Sequence, residues 1–190
     1  MQNLISQSYK YNYVNNEKSS EDIVYEFISL GDLEINKRVT ISKIGGALSD
    51  YYNLALNDYS VDEQGVETES YMSRVDNKDD EKVLLTSFVC ALDFLTMEKF
   101  KDSKVIFMGN THAKHRYYKI KVASNFNELS GICTIKGGFI DGLKLSIDQE
   151  TQEKNPLNHP LYATDERIHQ EDYDIKSAGK YNFIIFEVKE

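Results

Sequence analysis

The strongest constraint on the fold is an almost uniformly apolar segment at residues 79–98, DDEKVLLTSFVCALDFLTME. Apolar side chains recur along it at helical spacing, and the central stripe comprises Leu84, Phe88, Ala91, Leu92 and Leu95. Others widen that stripe until little polar surface remains: Val83, Leu85, Val89, Phe94 and Met97. We therefore predict a long helix buried on nearly all sides, with Asn77, Asp79 or Asp80 as its N-cap.

Several other segments have the pattern of strands. Alternating or continuous apolar residues predict strands within 22–31, 33–44, 51–60, 104–108 and 180–188. The last of these, KYNFIIFEV, is so apolar that we expect it to be central in a sheet. Residues 132–147 predict two more strands joined by a turn at Gly137–Gly138, whereas the acidic residues 61–70 predict a solvated turn or loop. Together with the long helix, these segments predict an α+β fold with a mostly antiparallel sheet.

Length and composition favour one soluble domain spanning residues 1–190. An acidic excursion is inserted at about 140–176, and it contains both prolines. No apolar run approaches the roughly 18 residues that span a bilayer, and the N-terminus lacks a signal-peptide pattern. Cys90 and Cys133 each lie in an apolar stretch and are predicted to be buried free thiols. We therefore expect a cytoplasmic protein with no membrane partner.

Charge is distributed unevenly along the chain. The net charge is −9, and two segments, 58–81 and 148–174, hold most of the acidic excess. In contrast, residues 99–121 carry seven Lys and Arg side chains against a single Asp. An anion attracted to this basic segment must be held locally, because the field of the whole protein opposes it.

Four of these seven cations follow a short apolar run in KVIFMGNTHAKHRYYKIK, residues 104–121. Periodicity alone fits either a helix or a strand after the Gly109-Asn110-Thr111 turn, and Thr111 is a plausible N-cap for the helix. If a strand ends at Met108 and a helix begins near Thr111, the turn presents free backbone N–H groups to an anion. On this hypothesis Gly109 leaves room for the ligand.

Five stretches of the sequence, taken together, carry a resemblance to a known family: YEFISLG, YYNLALNDYS, DDEKVLLTSFVCALDFL, IFMGNTHAKHRYYKI and AGKYNFIIFEV. They resemble, in order, the motifs of a family of short, functionally uncharacterised bacterial proteins found mainly in the Bacteroidota. The resemblance covers about residues 20–130 and 177–189 and leaves the excursion as an addition. It favours strand–turn–helix around the turn, so we expect a helix over residues 112–126.

The fourth stretch resembles the family pattern G-S-T-x-A-R-T-R-L-Y. The matching positions are Gly109, Thr111, Ala113, Arg116 and Tyr118. Asn110, Lys114 and His115 stand where the family has Ser, Arg and Thr, so a hydroxyl nucleophile at position 110 is ruled out by the amide. The resemblance implies no activity for this chain.

The ligand-binding residues that we predict share this tract: Gly109, Asn110, Thr111, Lys114, Arg116, Tyr117 and Tyr118. Arg116 can bind a phosphate or carboxylate through two parallel hydrogen bonds, and the two tyrosines can stack on a base. The expected partner is a phosphorylated small molecule, a nucleotide or RNA. The full P-loop spacing is absent, and we predict no cofactor.

Three alternatives remain open. Candidates for a metal-independent ribonuclease or toxin-like enzyme are His112, His115, Arg116, Tyr117, Tyr118 and Asp58. Asp58 could serve as a salt-bridge partner for Arg116 or as a general base. His112 and His115 alone do not make a metal site, and none is predicted. The second alternative is an acidic interaction module, such as an antitoxin or inhibitor, that binds a basic protein. The basic side chains could also form ion pairs with the acidic segments of the chain itself.

Overall fold

The computed structural model describes residues 2–14, 22–44, 50–70, 77–109, 112–140 and 168–189. Its helices are α1 (Gln2–Gln7), α2 (Asp80–Thr96), α3 (His112–Ser124) and α4 (Phe126–Ser130), with 3-10 turns at Glu98–Phe100 and Ile175–Lys180. Its strands are β1 (Asn12–Val14), β2 (Ile23–Leu30), β3 (Glu34–Lys43), β4 (Tyr51–Val61), β5 (Glu67–Ser70), β6 (Lys104–Phe107), β7 (Cys133–Ile140), β8 (Ile168–Asp172) and β9 (Phe183–Val188). The fold is α+β, as the sequence predicts.

One sheet contains all nine of these strands. Their order is β1-β2-β3-β4-β6-β9-β7-β8, and β5 pairs with β4 beside this path. Neighbouring strands are antiparallel except for β4 and β6, which run parallel. The connection between these two strands contains α2, so the chain leaves β4, passes through the helix and returns beside the strand that it left.

The prediction of a long buried helix is confirmed by α2. Twelve of its side chains are buried, and Phe88 and Phe94 are completely enclosed. Phe88 contacts the rings of Phe107 on β6 and Phe186 on β9, with ring centroids 5.2 and 5.5 Å apart. Truncation of such a ring to Ala in a core typically costs about 3–5 kcal/mol, so these contacts fix α2 on the sheet.

The helix N-terminus is bound to the sheet by side-chain hydrogen bonds. Asp79 occupies the N-cap position, one of the three predicted, but its side chain does not cap the helix. Its Oδ2 atom instead accepts hydrogen bonds from the hydroxyls of Tyr9 (2.7 Å) and Ser29 (2.5 Å). These bonds connect the N-terminal segment, β2 and the beginning of α2.

The prediction of a central C-terminal strand is confirmed, because β9 lies between β6 and β7. The prediction of a turn at Gly137–Gly138 is wrong: β7 runs straight through both glycines. A Cβ atom at these positions would lie 2.2 Å from the ring of Tyr181 and 2.0 Å from the ring of Phe183. The glycines therefore accommodate aromatic rings within a strand instead of reversing the chain.

Two strands lie in segments predicted to be loops. Strand β5 belongs to the acidic tract 61–70, and all four of its side chains are exposed. Strand β8 belongs to the predicted excursion and pairs with β7 at the edge of the sheet. Both are too polar to have the alternation by which strands are recognised. Residues 141–167 of the excursion lie outside the described residues.

Both cysteines are free and buried, as predicted. Burial raises the pKa of the Cys133 thiol to about 12, which leaves it protonated and unreactive at neutral pH. In the part of the chain that the structure describes, no helix combines the length and apolarity needed to cross a membrane.

Candidate functional site

The basic tract, residues 109–121, begins just after β6 and continues into α3, which confirms the predicted helix. Gly109 lies against the first turn of α3: a Cβ atom there would be 2.2 Å from the backbone nitrogen of His115. The sequence suggested that this glycine leaves space for a ligand. In the structure, the helix backbone itself occupies that space. Asn110 and Thr111 lie outside the described residues, so their predicted contacts stay predictions.

The His115 side chain joins this turn to the end of the sheet. Only 6% of the residue is exposed, and its Nε2 atom donates a hydrogen bond to the Tyr181 carbonyl oxygen at 3.0 Å. Its Nδ1 atom accepts a long contact, 3.5 Å, from the Gly109 N–H. This arrangement corresponds to a neutral imidazole protonated on Nε2, which makes His115 a structural link. The ribonuclease hypothesis gains no support from it, and the side chain of His112 is not described.

A buried ion pair lies on the side of the sheet that faces α2. Lys37 on β3 and Asp58 on β4 are direct cross-strand partners, and their side chains meet with Nζ 2.6 Å from Oδ1. The Lys37 side chain is 1% exposed and that of Asp58 13%. Lysine is almost never buried so completely unless its charge is paired. We therefore treat this ion pair as part of the candidate functional site.

Lys114, in the first turn of α3, brings the basic tract to this ion pair. Its side chain is half-buried, and loss of solvent lowers the pKa of its ammonium group. Asp58 opposes that lowering, while the positive charge of Lys37 adds to it. Asp58 therefore does face the basic tract, but it pairs with Lys37 and interacts with Lys114, not with Arg116.

Arg116 lies on a different side of α3. Residues two apart on an α-helix point about 200° apart, so Lys114 and Arg116 cannot project in one direction. Arg116 is exposed, and within the described ranges we find no hydrogen bond or ion pair to its guanidinium. The predicted site therefore divides into a half-buried cation beside the sheet and an exposed cation on the helix surface.

The two tyrosines of the tract are half-buried and pack against the core. Burial raises the pKa of both phenols to about 12; for Tyr117 the negative charges of Asp80 and Glu81 contribute as well. Their rings are thus packed on the protein's own side chains. This packing does not favour the predicted stacking of both rings on a base.

Most of the other cations of the basic segment are engaged within the molecule. The contacts are Lys101 to Glu98 (2.8 Å), Lys104 to Asp50 (3.2 Å), Lys121 to Glu81 (2.9 Å) and Lys119 to the Gly179 carbonyl oxygen (3.3 Å). Internal neutralisation, one of the alternatives that the sequence left open, therefore accounts for much of the charge. Arg116 differs from these cations in being exposed, and Lys114 differs in lying half-buried near Lys37 and Asp58.

Sequence reasoning missed Lys37 as a site residue. The signal was present: in EINKRVTISK the period-2 alternation places Lys37 in the same row as Val39 and Ile41, both fully buried. A lysine in the buried row of a strand predicts a paired charge in the interior. Among the described residues, no group of three or more His, Cys, Asp or Glu side chains is arranged to hold a metal ion.

A family model described as a family of unknown function (DUF6934) matches residues 7–155. It extends further toward the N-terminus than the resemblance drawn from the motifs, includes the first part of the excursion and ends before β8 and β9. No curated protein and no solved structure matches the chain.

Proposed function

Because the chain belongs to DUF6934, a family of unknown function, we propose a function from its own site: it binds a phosphorylated ligand, a nucleotide or another small anion where Lys114 meets Lys37 and Asp58. The proposal assumes a soluble cytoplasmic protein, which the net charge and the two free thiols favour.

One observation carries this proposal: two lysines lie around one carboxylate in a poorly solvated position. Desolvation and the charge of Lys37 both disfavour the protonated form of Lys114. An anion beside Lys114 would offset both effects, since an opposite charge stabilises the protonated amine. At about 4 Å and an effective dielectric constant near 20, such a pair gains about 4 kcal/mol before its own desolvation is counted.

The position in the fold also favours a ligand. Strands β4 and β6 are parallel, and the chain turns from the carboxyl end of β6 into α3. In open sheets, ligands bind beyond the carboxyl ends of parallel strands, where the following helix presents its first N–H groups. Lys114 lies in that first turn, so its ammonium group and the helix N-terminus can act on the same anion.

Binding of defined anions tests the proposal. The wild-type protein is titrated with inorganic phosphate, pyrophosphate, ATP and a short RNA oligonucleotide. Binding is measured by calorimetry and by the change in melting temperature. A ligand at 100 times its Kd adds about 2.7 kcal/mol of stability. For a chain of this size that corresponds to a rise of about 5–10 °C. We expect at least one anion to produce it.

Variants then locate the site. Lys114→Gln removes the half-buried charge and is expected to weaken binding at least tenfold, whereas Arg116→Ala, on the exposed side of α3, should weaken it less. The matched control is Lys101→Gln, which breaks an exposed ion pair with Glu98 and should leave the affinity unchanged. If no anion binds, or if Lys114→Gln binds as wild type does, the proposal is wrong.

A further inference from the structure

A second surface lies on the opposite side of the sheet. We call it the outer face: the side of β2, β3, β4 and β5 that is turned away from α2. Ser29 points toward α2, where it is fully buried and bound to Asp79, so its neighbours Ile28 and Leu30 must point outward. These two residues are 50% and 58% exposed, and Val61, near the end of β4, is 51% exposed.

Carboxylates surround these aliphatic side chains. The strand register places Ile28 beside Asn36, Asn36 beside Tyr59, and Tyr59 beside Glu69. It also places Leu30 beside Glu34 and Val61 beside Glu67, so two of the three exposed aliphatic side chains have a glutamate as their direct cross-strand partner. With Glu26, the described part of this face carries the glutamates at 26, 34, 67 and 69.

The one arginine among them does not neutralise this surface. Arg38 donates to Glu26 at 2.8 Å, to Glu67 at 3.1 Å and to Glu69 at 2.6 Å, and its guanidinium lies over the Tyr59 ring. Hydrogen bonds to the three glutamates raise its pKa despite burial. One positive charge is thus shared among three carboxylates, and among the described residues of the outer face the glutamates outnumber this arginine.

We propose that the outer face docks a basic segment of a partner protein, one that alternates Lys or Arg with aliphatic side chains. Exposed aliphatic groups would lose their contact with water, and the glutamates would meet opposite charges. The same carboxylates disfavour other occupants. Nucleic acid and anionic membranes would be repelled, and a second copy of this face would place glutamates against glutamates.

This proposal is independent of the anion site, which lies on the α2 side of the sheet. The probe is a fluorescent synthetic peptide of alternating Lys and Val, and its affinity for the full chain is measured by anisotropy at low and high salt. Two control peptides replace either every Lys by Glu or every Val by Ser. We expect only the Lys–Val peptide to bind, at least tenfold more weakly at high salt.

Variants identify the surface. Leu30→Ser removes an exposed aliphatic group, and Glu34→Gln removes an exposed charge. Each is expected to lower the affinity for the Lys–Val peptide at least threefold. Neither makes a contact that holds Arg38, so folding should be unaffected. The control is Ile120→Ser, a 49% exposed aliphatic residue on α3, which should leave affinity unchanged.

Three results would overturn the proposal. The first is absence of binding by the Lys–Val peptide at low salt, and the second is equal binding of the control peptide in which Glu replaces every Lys. The third is a dimer in sedimentation that Leu30→Ser abolishes, since it would make a second copy the occupant. Chemical-shift changes confined to β2–β5 upon peptide addition would support the proposal directly.

Discussion

The buried ion pair predicts a large and asymmetric loss of stability when it is broken. In Asp58→Asn, the Lys37 ammonium keeps its charge but loses its carboxylate partner, and with a side chain only 1% exposed it cannot reach water. Leaving one buried charge of a pair uncompensated typically costs about 3–5 kcal/mol. For a chain of this size that lowers the melting temperature by about 6–20 °C. Equilibrium unfolding in urea measures the cost directly.

The reciprocal variant should cost less. Lys37→Met leaves Asp58, whose side chain is 13% exposed and better able to recover solvent. The control is Asp50→Asn, which breaks the much more exposed pair with Lys104 and should cost at most about 1 kcal/mol. A loss below about 1 kcal/mol for Asp58→Asn, or equal losses for Asp58→Asn and Asp50→Asn, would refute the reasoning.

Three further predictions follow from close packing and burial. Gly109→Ala places a Cβ atom 2.2 Å from the His115 backbone nitrogen, so the free energy of unfolding should fall by about 1–3 kcal/mol or more. Thermal unfolding measures this loss, and an unchanged stability would mean that α3 begins elsewhere. Cys90 and Cys133 are buried, so a thiol reagent should modify neither in the native protein and both in denaturant; rapid native labelling would contradict the packing. The raised pKa of Tyr118, about 12, means that the contribution of this phenol to stability should be constant below pH 10, the ordinary phenol value, and should be lost between about pH 10 and 12. Ionisation followed at 295 nm with its midpoint near pH 10 for every tyrosine would contradict this.

The elements predicted well are those in which one physical signal dominates. Helix α2 follows from apolar residues at helical spacing, and β9 from a continuous apolar run, because both are buried on nearly every side. Strand β5 could not be recognised, because its exposed polar side chains are ordered only by backbone pairing with β4. Gly137–Gly138 has the composition of a turn, and only the positions of distant aromatic rings show why it is a strand.

The candidate site was predicted in part. The sequence placed cations and a helix N-terminus after β6, and it named Asp58 as a residue that could face them. It did not identify Lys37, since cross-strand pairing joins segments far apart in the chain, although the alternation in β3 held the signal. Nor could the sequence show that the side chains of Lys114 and Arg116 point in different directions. That depends on the secondary structure of the segment, which periodicity alone left undecided.

The most direct test of an anion site at Lys114 is the pKa of its side chain, followed by NMR of isotopically labelled lysine with and without the anion that binds most tightly. Without the anion, we predict a pKa below the ordinary lysine value of 10.5, because the ammonium is desolvated and lies near Lys37. With saturating anion the pKa of Lys114 should rise. A Lys114 pKa that the anion does not move would contradict the account.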